Sequence, residues 1–176
     1  VETLPHLALD LAKDDMLRRG ATYLRGPRLE ILVDRLFGEL SRSGTGYLAA
    51  LQPGPGLTRT LVRSLTDLRC SGTGPRALKP GRFEVEIKAG EVRRLLEKYE
   101  AALVRENCVD LADVLRIAAH RFADGSDKTT GLIVMPRDAV DALTGMARRV
   151  WEAVPESRRL ALPTDAPCDA SRKASG

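Results

Sequence analysis

Apolar positions along the chain keep a helical period for most of its length and turn strand-like near the end. Over 27–42, Leu29, Leu32, Val33, Leu36, Phe37 and Leu40 fall at alternating steps of three and one and draw a single continuous apolar stripe. Pro27 suits the first turn of that helix. Similar spacing predicts helices over 56–70 (Leu57, Leu61, Leu65, Leu68), over 90–105 (Val92, Leu95, Leu96, Tyr99, Leu103) and over 107–122 (Leu111, Val114, Leu115, Ala118, Ala119, Phe122). A shorter helix is expected over 3–17, with Thr3 as cap and Pro5 in its first turn. The apolar run LIVM at 132–135 then reads as a strand, 138–154 as a further helix, and RLALP at 159–163 as a second strand. Helix, strand, helix, strand with short connections is the order of a parallel α/β layer. Two strands do not make a stable sheet alone, so the pair reads as part of a larger sheet or as the edge of a larger protein.

The breaks between these elements are strongly marked. SRSGTG at 41–46 ends the helix over 27–42, GYLAAL at 46–51 reads as one more helical turn, and PGPG at 53–56 stops the chain again. Residues 71–89 form a Gly-, Pro- and Lys-rich connector with a short helical turn at 75–79. RFEVEI at 82–87 alternates like a strand but is better read as the lead into the next helix. The expected fold is mainly α with a small parallel α/β part: a helical subdomain over 1–106, an α/β portion over 107–163 and a flexible tail over 164–176. The chain begins with Val and opens almost in mid-helix, as expected for a segment of a longer protein.

Charge changes this picture little. Lys and Arg number 28 against 24 Asp and Glu, a net charge of +4, compatible with nucleic acid or an acidic partner and equally with a solvated charged surface. The link after the first helix is basic, with Arg18, Arg19, Arg25 and Arg28. Arg59 and Arg63 lie one turn apart, Arg69 follows, and Arg93, Arg94 and Lys98 lie on the outside of the next helix; all six could meet phosphates. The three cysteines, Cys70, Cys108 and Cys168, have no metal-ligand or disulfide spacing and read as free thiols of a cytoplasmic protein. No apolar run is long enough to cross a membrane.

The tests for chemistry are mostly negative. GSDKTTG at 125–131 is not a phosphate loop: Asp127 rather than Gly precedes Lys128, and a strand rather than a helix follows. GxSxG, HExxH, GxGxxG and paired metal-binding carboxylates are missing, and no cofactor is expected. Asp110 caps the helix that follows it, with Asp113 at its third position in a variant of the capping box. Asp138 and Asp141, just past a strand end, read as helix-terminal acids. His6 and His120 read as surface residues rather than ligands or catalysts.

At 95–154 the order of features resembles a known family. LLEKYEAALVRENCVDLADVLRIAAHRF followed by LIVMPRDAVDALTGMARRVWEAV is similar to the UvrD/Rep-type superfamily I helicases. There, a helix closing the insertion of the first motor domain carries a Y…L…VD(F/Y)xDLL pattern, and a Walker B strand of the form hhVDEaQD follows. Tyr99, Leu103, Val109, Asp110, Asp113, Val114 and Leu115 match the first pattern, and Leu132, Ile133 and Val134 match the strand. Where the family has its magnesium-binding Asp and catalytic Glu, this chain has Met135 and Pro136, with Asp138 near the place of the family's Gln. Met and Pro neither bind a metal nor orient water, so the resemblance implies a degenerate Walker B and no ATP hydrolysis.

That loss resembles the AddB-like, helicase-derived subunits of bacterial helicase–nuclease complexes, many of whose relatives are PD-(D/E)XK nuclease family proteins. TLPHLALDLA, RLEILVDRLFGELSRSGTGYLAAL, GLTRTLVRSLTDLRCSG and RLALPTDAP are similar to their helical region and late strand. No nuclease signature lies in this chain. The resemblance implies an ATPase-inactive, DNA-contacting scaffold of a DNA repair and recombination protein, partnered by DNA and by neighbouring motor and nuclease modules or a partner subunit. Its contacts would be Arg59, Arg63, Arg69, Arg93, Arg94 and Lys98, acting on the phosphate backbone. Two alternatives stay open: a helical protein–protein interaction module without a nucleic-acid role, and part of an active helicase using Asp138 or Asp141.

Overall fold

The computed structural model describes residues 3–43, 46–48, 50–83, 86–127, 129 and 131–163. Its elements run α1 (Leu4–Arg19), β1 (Thr22–Tyr23), α2 (Pro27–Ser43), α3 (Pro55–Cys70), α4 (Glu86–Arg105), β2 (Cys108–Val109), α5 (Leu111–Ala123), β3 (Ile133–Pro136), α6 (Arg137–Asp141), α7 (Gly145–Ala153) and β4 (Arg159–Leu162). The protein is mainly helical with a small parallel β component, as the periodicity predicts. β3 and β4 pair parallel, with Val134 opposite Leu160 and Pro136 opposite Leu162. A second parallel pair joins β1 to β2. The helix expected over 107–122 therefore starts only at Leu111, and residues 107–109 pair instead: the Thr22 and Leu24 amides donate to the carbonyls of Asn107 and Val109.

Two apolar cores follow from the helical stripes. In the first, Leu32, Val33, Leu36 and Phe37 of α2 pack with Leu61 and Leu65 of α3 and with Leu95, Leu96 and Tyr99 of α4. In the second, Ala8, Leu11 and Ala12 of α1 pack with Val114, Leu115, Ala118 and Phe122 of α5 and Val150 of α7. α1, grouped with the first 106 residues on sequence order, thus lies along α5; its small buried alanines leave room for close approach.

Several expectations are corrected. Thr3 does not cap α1 through its side chain; its carbonyl instead accepts from the amides of His6 and Leu7. The described residues of 46–51 form turns rather than helix, closed by the Leu51 amide on the Leu48 carbonyl. In the connector, by contrast, the short helical turn expected at 75–79 is present as the 3-10 turn Pro75–Ala77, and a second one, Pro80–Arg82, follows it. The helix expected over 138–154 is two helices, α6 and α7, separated at 142–144. The cause is Gly145, at φ +53°, which lies so close to the end of α3 that a Cβ there would sit 2.2 Å from the Cys70 carbonyl oxygen. Helical backbone has φ of about −60°, so one continuous helix does not run through a residue at +53°. The tail expected over 164–176 lies outside the described residues, as does Cys168.

Candidate functional site

Among the described residues, the most developed polar arrangement is built where α3, α4 and the start of α5 meet. Arg69 continues the buried Leu61–Leu65 step of α3 by one more turn, which carries its side chain inward to 13 % exposure. There Nε donates to Asp110 Oδ2 at 3.0 Å, Nη2 to Asp113 Oδ1 at 2.8 Å and Nη1 to Glu100 Oε1 at 2.9 Å. The Tyr99 hydroxyl donates to Asp110 Oδ2 at 3.2 Å. Asp110 and Asp113 also form the expected capping box: Asp110 accepts from the Asp113 amide at 3.0 Å, and Asp113 accepts from the Asp110 amide at 3.4 Å. Arg116 closes the group on Asp113 Oδ1 at 2.8 Å.

The electrostatics follow from crowding three carboxylates around one guanidinium. Burial works against the charge on Arg69, but Asp110, Asp113 and Glu100 outweigh it and hold the guanidinium protonated. Burial, then repulsion from Asp110, pushes the Asp113 carboxyl up despite Arg69 and Arg116. Burial and the Asp110 charge push the Tyr99 hydroxyl well up as well. Such a group fixes how three helices meet. It offers no free acid or base to a substrate.

The other basic candidates remain on the surface. Arg59 and Arg63 are exposed on α3, Arg63 with a loose contact of 3.9 Å to Asp67. Arg93, Arg94 and Lys98 are exposed on α4, with Lys98 bridging to Glu39 of α2 at 3.4 Å. The six cations therefore do not form one group: Arg69 turns inward, while the other five stay outward on two helices. At the strand end, Met135 is half-buried, Pro136 is exposed, and Asp138 is exposed in the first turn of α6. Among the described residues no cluster of three or more His, Cys, Asp or Glu side chains could hold a metal. His120 is exposed and pairs with Asp124 at 2.9 Å. The described cysteines, Cys70 and Cys108, are free thiols.

The inward turn of Arg69 has a sequence signal, since residue 69 is four past Leu65 and eight past Leu61 and so falls on the buried stripe. Its acidic partners are less visible, because Glu100 looks like an ordinary outward acid of α4. Compared with protein-family models, with curated proteins and with solved structures, the chain matches none.

Proposed function

We propose that this chain is an ATPase-inactive, helicase-derived scaffold that contacts DNA in bacterial DNA repair or recombination, beside motor and nuclease modules. The observation that carries the proposal is the placing of Tyr99, Asp110 and Asp113. These are three of the residues by which the chain resembles the helicase pattern, and they form one buried structural unit in which Arg69 bonds both aspartates and the Tyr99 hydroxyl donates to Asp110. That unit opens α5, which leads into a parallel β3–β4 pair. The end of β3 carries Met135 and Pro136 where a hydrolytic strand would need carboxylates. Surface arginines on α3 and α4 supply sequence-independent phosphate contacts.

The test is fluorescence anisotropy of labelled single-stranded and duplex DNA against the protein over a salt series. Binding that weakens steeply with salt supports the proposal. No binding of either DNA at low salt overturns the DNA role.

One observation favours a second reading, a protein–protein interaction module. Val134, Leu160 and Leu162 stand 44 %, 44 % and 45 % exposed on the outer face of the β3–β4 pair. Parallel sheets are ordinarily covered on both faces, so this face suits a partner subunit or adjacent domain. A protein that binds no DNA, and whose solution behaviour changes on Leu160→Lys, would favour this reading.

A further inference from the structure

α2 and α4 run antiparallel, as two cross-bridges show: Arg35 pairs with Glu106, and Glu39 with Lys98. Arg28, Arg35 and Arg42 of α2 are spaced seven apart and all are exposed, so they form a row on one side of the helix. Arg94, Lys98 and Arg105 of α4 stand at i, i+4 and i+11, which is again one side. The bridges join the two rows. Arg35 and Arg105 both donate to Glu106 Oε1, and Lys98 reaches Glu39. Arg28 completes the line near the end of α4, where its charge acts on the Cys108 thiol. Burial and Glu106 push that thiol up, and Arg28 opposes them.

We infer that the seam between α2 and α4 is a track for a single-stranded phosphodiester chain, held by Arg28, Arg35, Arg42, Arg94, Lys98 and Arg105. Two carboxylates, Glu39 and Glu106, stand in this seam against six cations, and each carboxylate bridges to a cation of the opposite helix. Glu97, exposed and three residues past Arg94, lies about 60° from it around α4 and borders the row, which leaves six cations against three carboxylates. Arg28, Arg35 and Arg42 repeat about every 10.5 Å over roughly 21 Å of helix, a line long enough to meet several successive phosphates of an extended strand. A lone phosphate would use one such arginine, whereas a linear polyanion meets the series. Because Arg35 and Arg105 share one carboxylate, the rows converge on one track rather than splaying to grip two strands. The class of partner rests on the DNA reading above. Four of the six residues, Arg28, Arg35, Arg42 and Arg105, are not among the contacts expected from sequence.

The test uses a fluorescein-labelled oligothymidylate 20-mer in low salt. The intact chain is compared with an Arg28→Ala/Arg42→Ala variant, an Arg94→Ala/Arg105→Ala variant and an Arg59→Ala/Arg63→Ala variant. Circular dichroism and thermal unfolding check the fold, and Arg28→Lys/Arg42→Lys, which keeps the charge, should restore most of the binding. Each seam variant is expected to weaken binding at least tenfold and to flatten the salt slope by about 0.7 for each phosphate no longer neutralised. If the seam variants bind like the intact chain while Arg59→Ala/Arg63→Ala does not, the seam assignment is overturned and the DNA reading stands. If the intact chain binds no oligonucleotide, the DNA reading itself fails and the seam with it.

Discussion

Arg69 shows how one residue sets the junction of three helices. Its guanidinium satisfies Glu100, Asp110 and Asp113 together. Removing one partner of a buried ionic group strands the others without compensation, which costs several kcal/mol. Arg69→Ala should therefore destabilise the protein by about 3–5 kcal/mol in urea unfolding. Tyr99→Phe, which removes only the donor to Asp110, should cost about 1 kcal/mol. Equal small losses of stability for both would show that Arg69 does not hold the three carboxylates together.

Acid sensitivity also belongs to single residues. The Asp15 carboxyl is held below its ordinary value of 3.8 by the hydrogen bond from Arg121, against opposing burial. For Asp127, burial would raise the carboxyl, but hydrogen bonds from Thr129 and Arg158 win and lower it. Both groups are easier to ionise in the folded chain than in the unfolded one. Their contribution is complete above the ordinary value and is lost as pH falls through it and below. Asp113, pushed up by burial, has the opposite sign: its contribution is complete below 3.8 and declines as pH rises past that value. The urea midpoint should fall as pH drops below about 4, and Asp127→Asn should flatten that fall. A midpoint that does not change between about pH 5 and about pH 3 would contradict the assignment.

At the scale of elements, the long amphipathic helices were legible because their stripes are unambiguous. α2 and α4 bury the residues their spacing selects, and Asp110 with Asp113 forms the cap that their positions announce. The junctions were not legible. Nothing local in GYLAAL distinguishes a helical turn from the non-helical turns formed there. The division into α6 and α7 depends on a close approach between Gly145 and the Cys70 carbonyl, residues far apart in sequence. Gly145→Ala should accordingly destabilise by at least about 1–3 kcal/mol, from strain at φ +53° and the backbone clash. Gly38, in the middle of α2 with open space around it, is the control. Gly38→Ala should stabilise by about 0.5–1 kcal/mol. Thermal unfolding distinguishes the two, and stabilisation by both substitutions would remove the packing explanation for the break between α6 and α7.

On the scale of the whole molecule, two apolar cores are bridged by the Arg69 network, and cations are distributed over an exposed α3 face and the α2–α4 seam. Sequence alone marked the cations of α3 and α4 but could not pair α4 with α2, because that pairing depends on tertiary bridges between residues 59 and 71 positions apart. The outer face of the β3–β4 pair stays apolar and open, with Leu160 and Leu162 44 % and 45 % exposed. Leu160→Lys should change unfolding by less than about 0.5 kcal/mol; a larger destabilisation would show that the face is packed within the protein.

The central claim is that this fold presents its basic surface to a nucleic-acid backbone. The salt dependence of oligothymidylate binding by the unmodified chain tests it most directly. Neutralising about four to six phosphates predicts a slope of about −3 to −4 in log affinity against log salt. A slope near zero, or no binding at low salt, would contradict the account.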